Sequence, residues 1–265
     1  MLTEIGLFLA LGALVGLVAP AAGIGGGLLM VPSFLFLFPR FGIGPGLAAH
    51  LAVGSSVGAA TLMSLSSVSA HARHGSVEWR VFAGLVPGLA AGAVAGGLVA
   101  HWLPDAVLHR IFAGLMLIIA LWLFAGFQPG AHKELRRPSA VWTVPVGFGI
   151  GAVSTMIGIG GGAMIVPFLL LAGMESAAAV GTSSAGVFVT VLTGSVVYMI
   201  AGRSAPGLPA GSLGYLYGPA VLGTAVTAMA FAPLGALIGR RLAPRLFKRL
   251  FALLLVGVAV KLFFF

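Results

Sequence analysis

The chain has 265 residues and no cysteine. Disulfides, thiolate nucleophiles and sulfur-ligated metals are thereby excluded, while the redox compartment stays open. Charge is nearly as scarce. Asp, Glu, Lys and Arg make up 7% of the residues, where a soluble domain carries roughly 25%. The five acids, Glu4, Glu78, Asp105, Glu134 and Glu175, fall at the ends of apolar segments or between them. The sequence therefore predicts none of the buried carboxylates that many proton pumps carry. A site without acids suits an anionic substrate.

What the chain does have is apolar length: 60% of its residues are hydrophobic. A helix crossing a bilayer needs about 20 mostly apolar residues, and nearly all of this chain consists of such stretches. A membrane barrel is excluded because barrel strands alternate apolar and polar residues, and Leu115 to Phe124 do not alternate. The fold class expected is an all-α polytopic membrane protein. The net charge of +9 comes from cations at segment ends, with no basic stripe interleaved with aromatics. It points to cytoplasmic loops and anionic lipid, not nucleic acid. Leu2 to Ala22 ends in a sequence like a signal-peptidase site but has no preceding Lys or Arg, so it reads as a membrane segment. The 41 glycines would be costly in water-exposed helices, whereas in a bilayer they permit close packing and helix breaks. Gly92, Gly96 and Gly97 read as packing positions.

The chain repeats itself. Gly23-Ile24-Gly25-Gly26-Gly27-Leu28-Leu29-Met30-Val31-Pro32 matches Gly158-Ile159-Gly160-Gly161-Gly162-Ala163-Met164-Ile165-Val166-Pro167 at an offset of 135, with seven of ten positions identical. Ala52-Val53-Gly54-Ser55-Ser56 matches Ala179-Val180-Gly181-Thr182-Ser183 at an offset of 127. Gly96, Leu103, Arg110 and Phe112 match Gly235, Leu242, Arg249 and Phe251 at an offset of 139. The division is a first repeat over 1–130, a basic cytoplasmic linker over 131–139 and a second repeat over 140–265. Each half holds five apolar segments, in the first half about 2–20, 24–38, 46–70, 80–100 and 107–127. The total is 8 to 10 membrane segments, because the first two of each half are short enough to be broken or re-entrant.

Loop charge sets orientation, since Lys and Arg collect on the cytoplasmic side. The runs Lys133, Arg136, Arg137 and Arg240, Arg241, Arg245, Lys248, Arg249 belong there, as does the loop of Arg73 and Arg80. The repeat counterpart of that last loop, around Arg203, must then lie outside. Equivalent loops on opposite sides are the mark of inverted-topology repeats, which permit alternating access to a midplane site. Both termini are predicted to be extracytoplasmic.

A glycine run costs a helix about 1 kcal/mol per residue relative to alanine, so the chain should bend at both copies. The bend leaves backbone N–H groups unpaired at the positive end of the next helix. The candidate anion site is therefore Gly23, Gly25, Gly26 and Gly27 with Gly158, Gly160, Gly161 and Gly162. The other reading is a tight turn and close packing alone. Gly158 to Ala163 also fits the dinucleotide pattern G-x-G-x-x-G/A, but that motif needs a soluble βαβ unit and an acid about 20 residues on, and Glu175 comes too early. No cofactor and no metal site are expected.

Ser55, Ser56, Thr182 and Ser183 lie inside apolar segments, where they either donate to an oxyanion or bond a carbonyl one turn back. His50 is the one titratable side chain placed within the third segment, a candidate for proton coupling or else an interfacial histidine, since its counterpart is Ala177. Pro32 and Pro167 are expected near helix starts, where a missing donor does no harm.

With its duplicated G-x-G-G-G-x-x-x-V-P and duplicated A-V-G-[ST]-S, the chain resembles the sulfite exporter TauE/SafE family of bacterial membrane transporters over essentially its whole length. The resemblance implies transport of small sulfur or organosulfur oxyanions, such as sulfite, sulfonates or sulfoacetate, across the bacterial inner membrane. By position, the family's second motif falls on Gly54, Ser55, Gly181 and Thr182, with Ser55 standing where threonine is usual. The partners expected are a small anionic substrate, membrane lipid and a second copy in a homodimer. Two other functions fit the same residues: an anion channel lined by the glycine breaks, and an intramembrane hydrolase with Ser183 as nucleophile and His50 as base.

Overall fold

The computed structural model describes residues 2–22, 26–124 and 140–241, together with 252, 253, 256, 257 and 260. The linker over 131–139 and most of the last apolar segment lie outside the described residues, as do Gly23 and Gly25. The first half contains α1 (Leu2–Ala22), α2 (Gly27–Leu37) prolonged by a 3-10 turn (Phe38–Phe41), α3 (Ala48–Arg73), α4 (Trp79–Trp102) and α5 (Asp105–Phe124). The second contains α6 (Ala140–Ile157), α7 (Gly162–Leu171), α8 (Ser176–Ala201) and α9 (Gly218–Arg241). Helices α3, α4, α8 and most of α9 are long and apolar enough to cross a membrane, and α2, α6 and α7 are shorter apolar helices. Large apolar side chains such as Leu171, Ile200 and Trp142 are exposed on the outside of this bundle, as a lipid-facing surface requires. The protein is all-α and polytopic.

Glycine decides which helices touch. On α4, Gly88, Gly92 and Gly96 recur every four residues, so they share one face, and a Cβ at each would overlap the carbonyl oxygens of Val144, Phe148 and Ala152 on α6. On α1, Gly12 and Gly16 meet Thr224 and Ala228 of α9 in the same manner. In both pairs residue numbers rise together, so α4 runs parallel to α6 and α1 parallel to α9. The first helix of each half thus packs on the fourth helix of the other, the exchange expected of a two-fold relation. Without a hydrophobic force between helices in lipid, such backbone proximity and its dispersion contacts hold the pairs.

The third helices fix the sense of that two-fold. Ser76, just beyond α3, lies against Gly181 near the start of α8, while Thr61 Oγ1 is 2.9 Å from Ser195 Oγ farther along. Helices α3 and α8 are therefore antiparallel although they are equivalent in sequence, and the repeats are inverted.

Two local features differ from expectation. Pro32 and Pro167 sit at the sixth position of α2 and α7, not in the first turn. Each removes the hydrogen bond that the Leu28 or Ala163 carbonyl would have received there. The segment between α8 and α9 also forms a small antiparallel hairpin, β1 (Ser212–Leu213) with β2 (Leu216–Tyr217). It turns at Gly214, whose φ of +58° suits glycine.

Candidate functional site

The second glycine run forms a tip between α6 and α7. Gly158, Gly160 and Gly161 all have positive φ, between +73° and +89°, a region other L-residues enter at a cost of roughly 1–2 kcal/mol. Gly158 closes α6, its N–H donating to the Thr155 carbonyl at 3.3 Å, and the Ile159 N–H donates to the Ser154 carbonyl at 3.0 Å. Helix α7 then restarts with the Met164 and Ile165 N–H groups donating to the Gly161 carbonyl. Between them the N–H groups of residues 160–163 have no hydrogen-bond partner among the described residues. A helix start leaves such donors free, and here they are gathered at a loop inside the protein.

Two hydroxyls on α6 join them. Ser154 and Thr155 are fully buried, and neither Oγ has a hydrogen-bond partner among the described residues. Ser154 Oγ faces the Cα of Gly161, 2.9 Å from where a Cβ would stand. Thr155 projects between Gly194 of α8 and Gly97 of α4. Leaving a buried hydroxyl unpaired costs about 1–3 kcal/mol. The sequence reading passed over both residues, although Ser154-Thr155 lies just ahead of the glycine run and the equivalent positions in the first half are Ala19 and Pro20.

The described end of the first glycine run, Gly26 and Gly27, arrives at the same place. Gly27, at the start of α2, lies so near the Gly158 carbonyl that a Cβ would overlap it. Ser56 on α3 donates to that carbonyl at 2.8 Å. Gly26 caps α2 and accepts from the Leu29 and Met30 N–H groups at 3.0 Å. Of the predicted site residues, Gly26, Gly27, Ser56, Gly158, Gly160, Gly161 and Gly162 are therefore gathered at the meeting of the two tips. Ser183 belongs with them: it is 2% exposed, and its Oγ stands 3.9 Å from the Cβ position of Gly162. Every side chain just named is uncharged.

Ser55 and Thr182 do something else. Ser55 Oγ accepts from the Tyr217 N–H at 3.0 Å, and Thr182 Oγ1 accepts from the Glu78 N–H at 2.9 Å. The preceding glycines, Gly54 and Gly181, lie against the carbonyls of Tyr215 and Ser76. All four partners immediately precede the fourth helix of the opposite half and are related by the offset of 139. The second motif is thus a clasp made twice, in which glycine admits the other half's backbone and the next hydroxyl accepts its N–H.

His50 lies six residues before Ser56, near the start of α3, and is 5% exposed. Its Nδ1 is 2.9 Å from Asp105 Oδ1, and its Nε2 is 3.0 Å from the Ala100 carbonyl. Asp105 is itself 9% exposed, which corrects the expectation that the chain has no buried carboxylate. With both ring nitrogens engaged there, His50 does not serve as a base for Ser183.

The curated relatives include a probable membrane transporter protein of Haemophilus influenzae, 32% identical over 99% of both chains. Another, from Methanocaldococcus jannaschii, is 27% identical over 90% of this chain and 88% of its own. The probable membrane transporter protein YunE of Bacillus subtilis is 27% identical over 74% of this chain and 79% of its own. No solved structure matches. The sulfite exporter TauE/SafE family profile covers residues 8–262, and the chain, with its paired glycine tips and inverted halves, belongs to that family of membrane proteins.

Proposed function

We propose that this protein is a secondary transporter that moves small sulfur oxyanions, such as sulfite, sulfonates or sulfoacetate, across the bacterial inner membrane by alternating access. The observation that carries the reading is the meeting of the two glycine tips. There, unpaired N–H groups of residues 160–163 and the unpaired Ser154 hydroxyl converge beside Gly27, Ser56 and Ser183. Free N–H groups at a helix start attract anions, and uncharged donors hold one without a fixed cation that would resist its release. Sulfite, with three oxygens on one centre, can accept from several of these donors at once. Inverted repeats meeting at one site let the two halves exchange roles, opening that site first to one side and then to the other.

Counterflow in proteoliposomes tests this. Vesicles loaded with unlabelled sulfite should take up labelled sulfite faster than empty vesicles at equal pH on both sides. Uptake of the same rate in loaded and empty vesicles would indicate a channel, and no uptake of sulfite or of any sulfonate would sink the reading altogether. Gly160→Val, which places a side chain against Val191 and Val187 and strains a left-handed residue, should abolish the exchange while the protein still inserts.

A further inference from the structure

The end of the bundle opposite Arg73 and Arg80 holds a polar cluster that the repeat does not duplicate. It is built from His50 at the start of α3, Ala100 in the last turn of α4, Asp105 at the start of α5, and Tyr215 from the hairpin of the second half. Asp105 Oδ1 accepts from the Ala49 N–H at 2.9 Å and the His50 N–H at 3.2 Å, and also meets His50 Nδ1. The Tyr215 ring lies 5.0 Å from the His50 ring. In the other half the positions equivalent to His50 and Asp105 are Ala177 and Pro244.

The hydrogens of this cluster can be counted. A carbonyl oxygen only accepts, so the contact of Nε2 with the Ala100 oxygen requires a hydrogen on Nε2. The contact of Nδ1 with Asp105 Oδ1 requires a second. All the bonds close when the pair holds two hydrogens, as imidazolium and carboxylate or as neutral imidazole and carboxylic acid. With one hydrogen, the ring keeps Asp105 through Nδ1–H, because an Oδ1 already accepting two N–H groups favours the anion. The bare Nε2 lone pair then faces the Ala100 oxygen, and the last turn of α4 loses its bond to α3. One proton therefore decides whether the end of α4 is bonded to α3 through His50.

We propose that His50 and Asp105 form a proton-binding site coupled to transport: the proton on His50 latches the end of α4, and its loss releases it. This rests on the transporter reading above. Helix α4 packs along α6, which carries Ser154, and α3 carries Ser56, about 9 Å along the helix axis from His50. The latch and the anion site thus share α3, and α4 reaches the anion site through its packing on α6. The site exists in one half only, so its protonation distinguishes the two halves where the symmetric clasps do not.

The other groups facing the pair are few. His101 on α4 bonds through Nδ1 to the Tyr215 hydroxyl at 3.1 Å. Tyr198 on α8 stacks edge-on to Tyr215 and donates to the Thr155 carbonyl. His109 lies one turn along α5 from Asp105, with its Nε2 buried and unpaired. Arg40 of the 3-10 turn sits over the Phe36 ring, and Arg110 on α5 is exposed.

The test is amide hydrogen exchange of the full-length protein in detergent, read at residues 99–103 and corrected for intrinsic rates. Between about pH 5 and about pH 8, protection at this turn should fall about tenfold in the wild type. His50→Gln should abolish that transition, and Asp105→Asn, which keeps an acceptor but removes the counter-charge, should displace it. His101→Asn and His109→Asn should leave it in place. No transition in the wild type, or an unchanged one in both His50→Gln and Asp105→Asn, overturns the proposal. So does its loss in His101→Asn or His109→Asn instead. In vesicles, His50→Gln should keep sulfite counterflow at equal pH but lose uptake driven by an imposed pH gradient. Absence of wild-type counterflow would remove the transporter reading, while the exchange experiment would still decide whether the proton site exists.

Discussion

The two halves are alike where they hold each other and unlike where they would meet a solute or a proton. Ser55 with Tyr217 and Thr182 with Glu78 are the same bond made twice, and so are the glycine-lined contacts of α1 with α9 and α4 with α6. The buried hydroxyls of Ser154 and Thr155 correspond to Ala19 and Pro20 in the repeat, and His50 has no counterpart but Ala177. Duplication supplied a frame whose halves hold each other by paired contacts. Divergence within the frame supplied chemistry on one side, so the repeated features should matter for stability and the unrepeated ones for transport.

The hardest way to break this comparison is at the clasp glycines. A Cβ at Gly54 or Gly181 would occupy the position of a backbone carbonyl oxygen of the other half. Main chain on both sides cannot yield as a side chain would. Overpacking ordinarily costs about 1–3 kcal/mol, and here the two halves would have to separate. Gly54→Val and Gly181→Val should each lose most of the monodisperse protein recovered in mild detergent, and to a similar extent. If one variant behaves as wild type and the other collapses, the clasps are not equivalent.

A smaller effect follows from the clasp hydroxyls. Ser55→Ala and Thr182→Val leave the Tyr217 or Glu78 N–H without its acceptor, at a cost of about 1–3 kcal/mol. Both should lower the thermal unfolding temperature in detergent by comparable amounts, while sulfite affinity, measured by ligand-dependent stabilisation, stays near that of the wild type. A selective loss of affinity in either would return that hydroxyl to the anion site.

Much of this frame was legible in the sequence. The helical segments among the described residues, the break at the second glycine run, the packing role of Gly92, Gly96 and Gly97, and the opposed orientation of α3 and α8 follow from apolar length, repeat offsets and loop charge. What escaped depended on contacts between distant parts of the chain. Asp105 begins a segment, where composition cannot separate an interfacial carboxylate from one that caps a neighbouring helix. Only the packing of α3 and the return of Tyr215 from the other half bury it. Ser55 and Ser56 are adjacent hydroxyls with no local distinction, and one serves the clasp while the other reaches the opposite tip, because successive helix positions point about 100° apart. The hairpin before α9 lay hidden because strands of two residues have no periodicity to detect.

The finest test separates the two tips. Ser154 has no hydrogen-bond partner in its buried site, so Ser154→Ala removes an unsatisfied group and should leave stability unchanged or slightly raised. If an anion uses that hydroxyl, the same substitution removes a hydrogen bond to a charged group, worth about 1.5–3 kcal/mol, which is roughly a tenfold or greater loss of affinity. Ala19→Ser, which adds a hydroxyl at the equivalent place in the other half, should restore none of it. Stability and binding are thus expected to move apart at Ser154, whereas at the clasp residues only stability moves. A Ser154→Ala protein that binds sulfite as the wild type does would leave the orphaned hydroxyl a packing imperfection and shift the anion to the N–H groups of residues 160–163 alone.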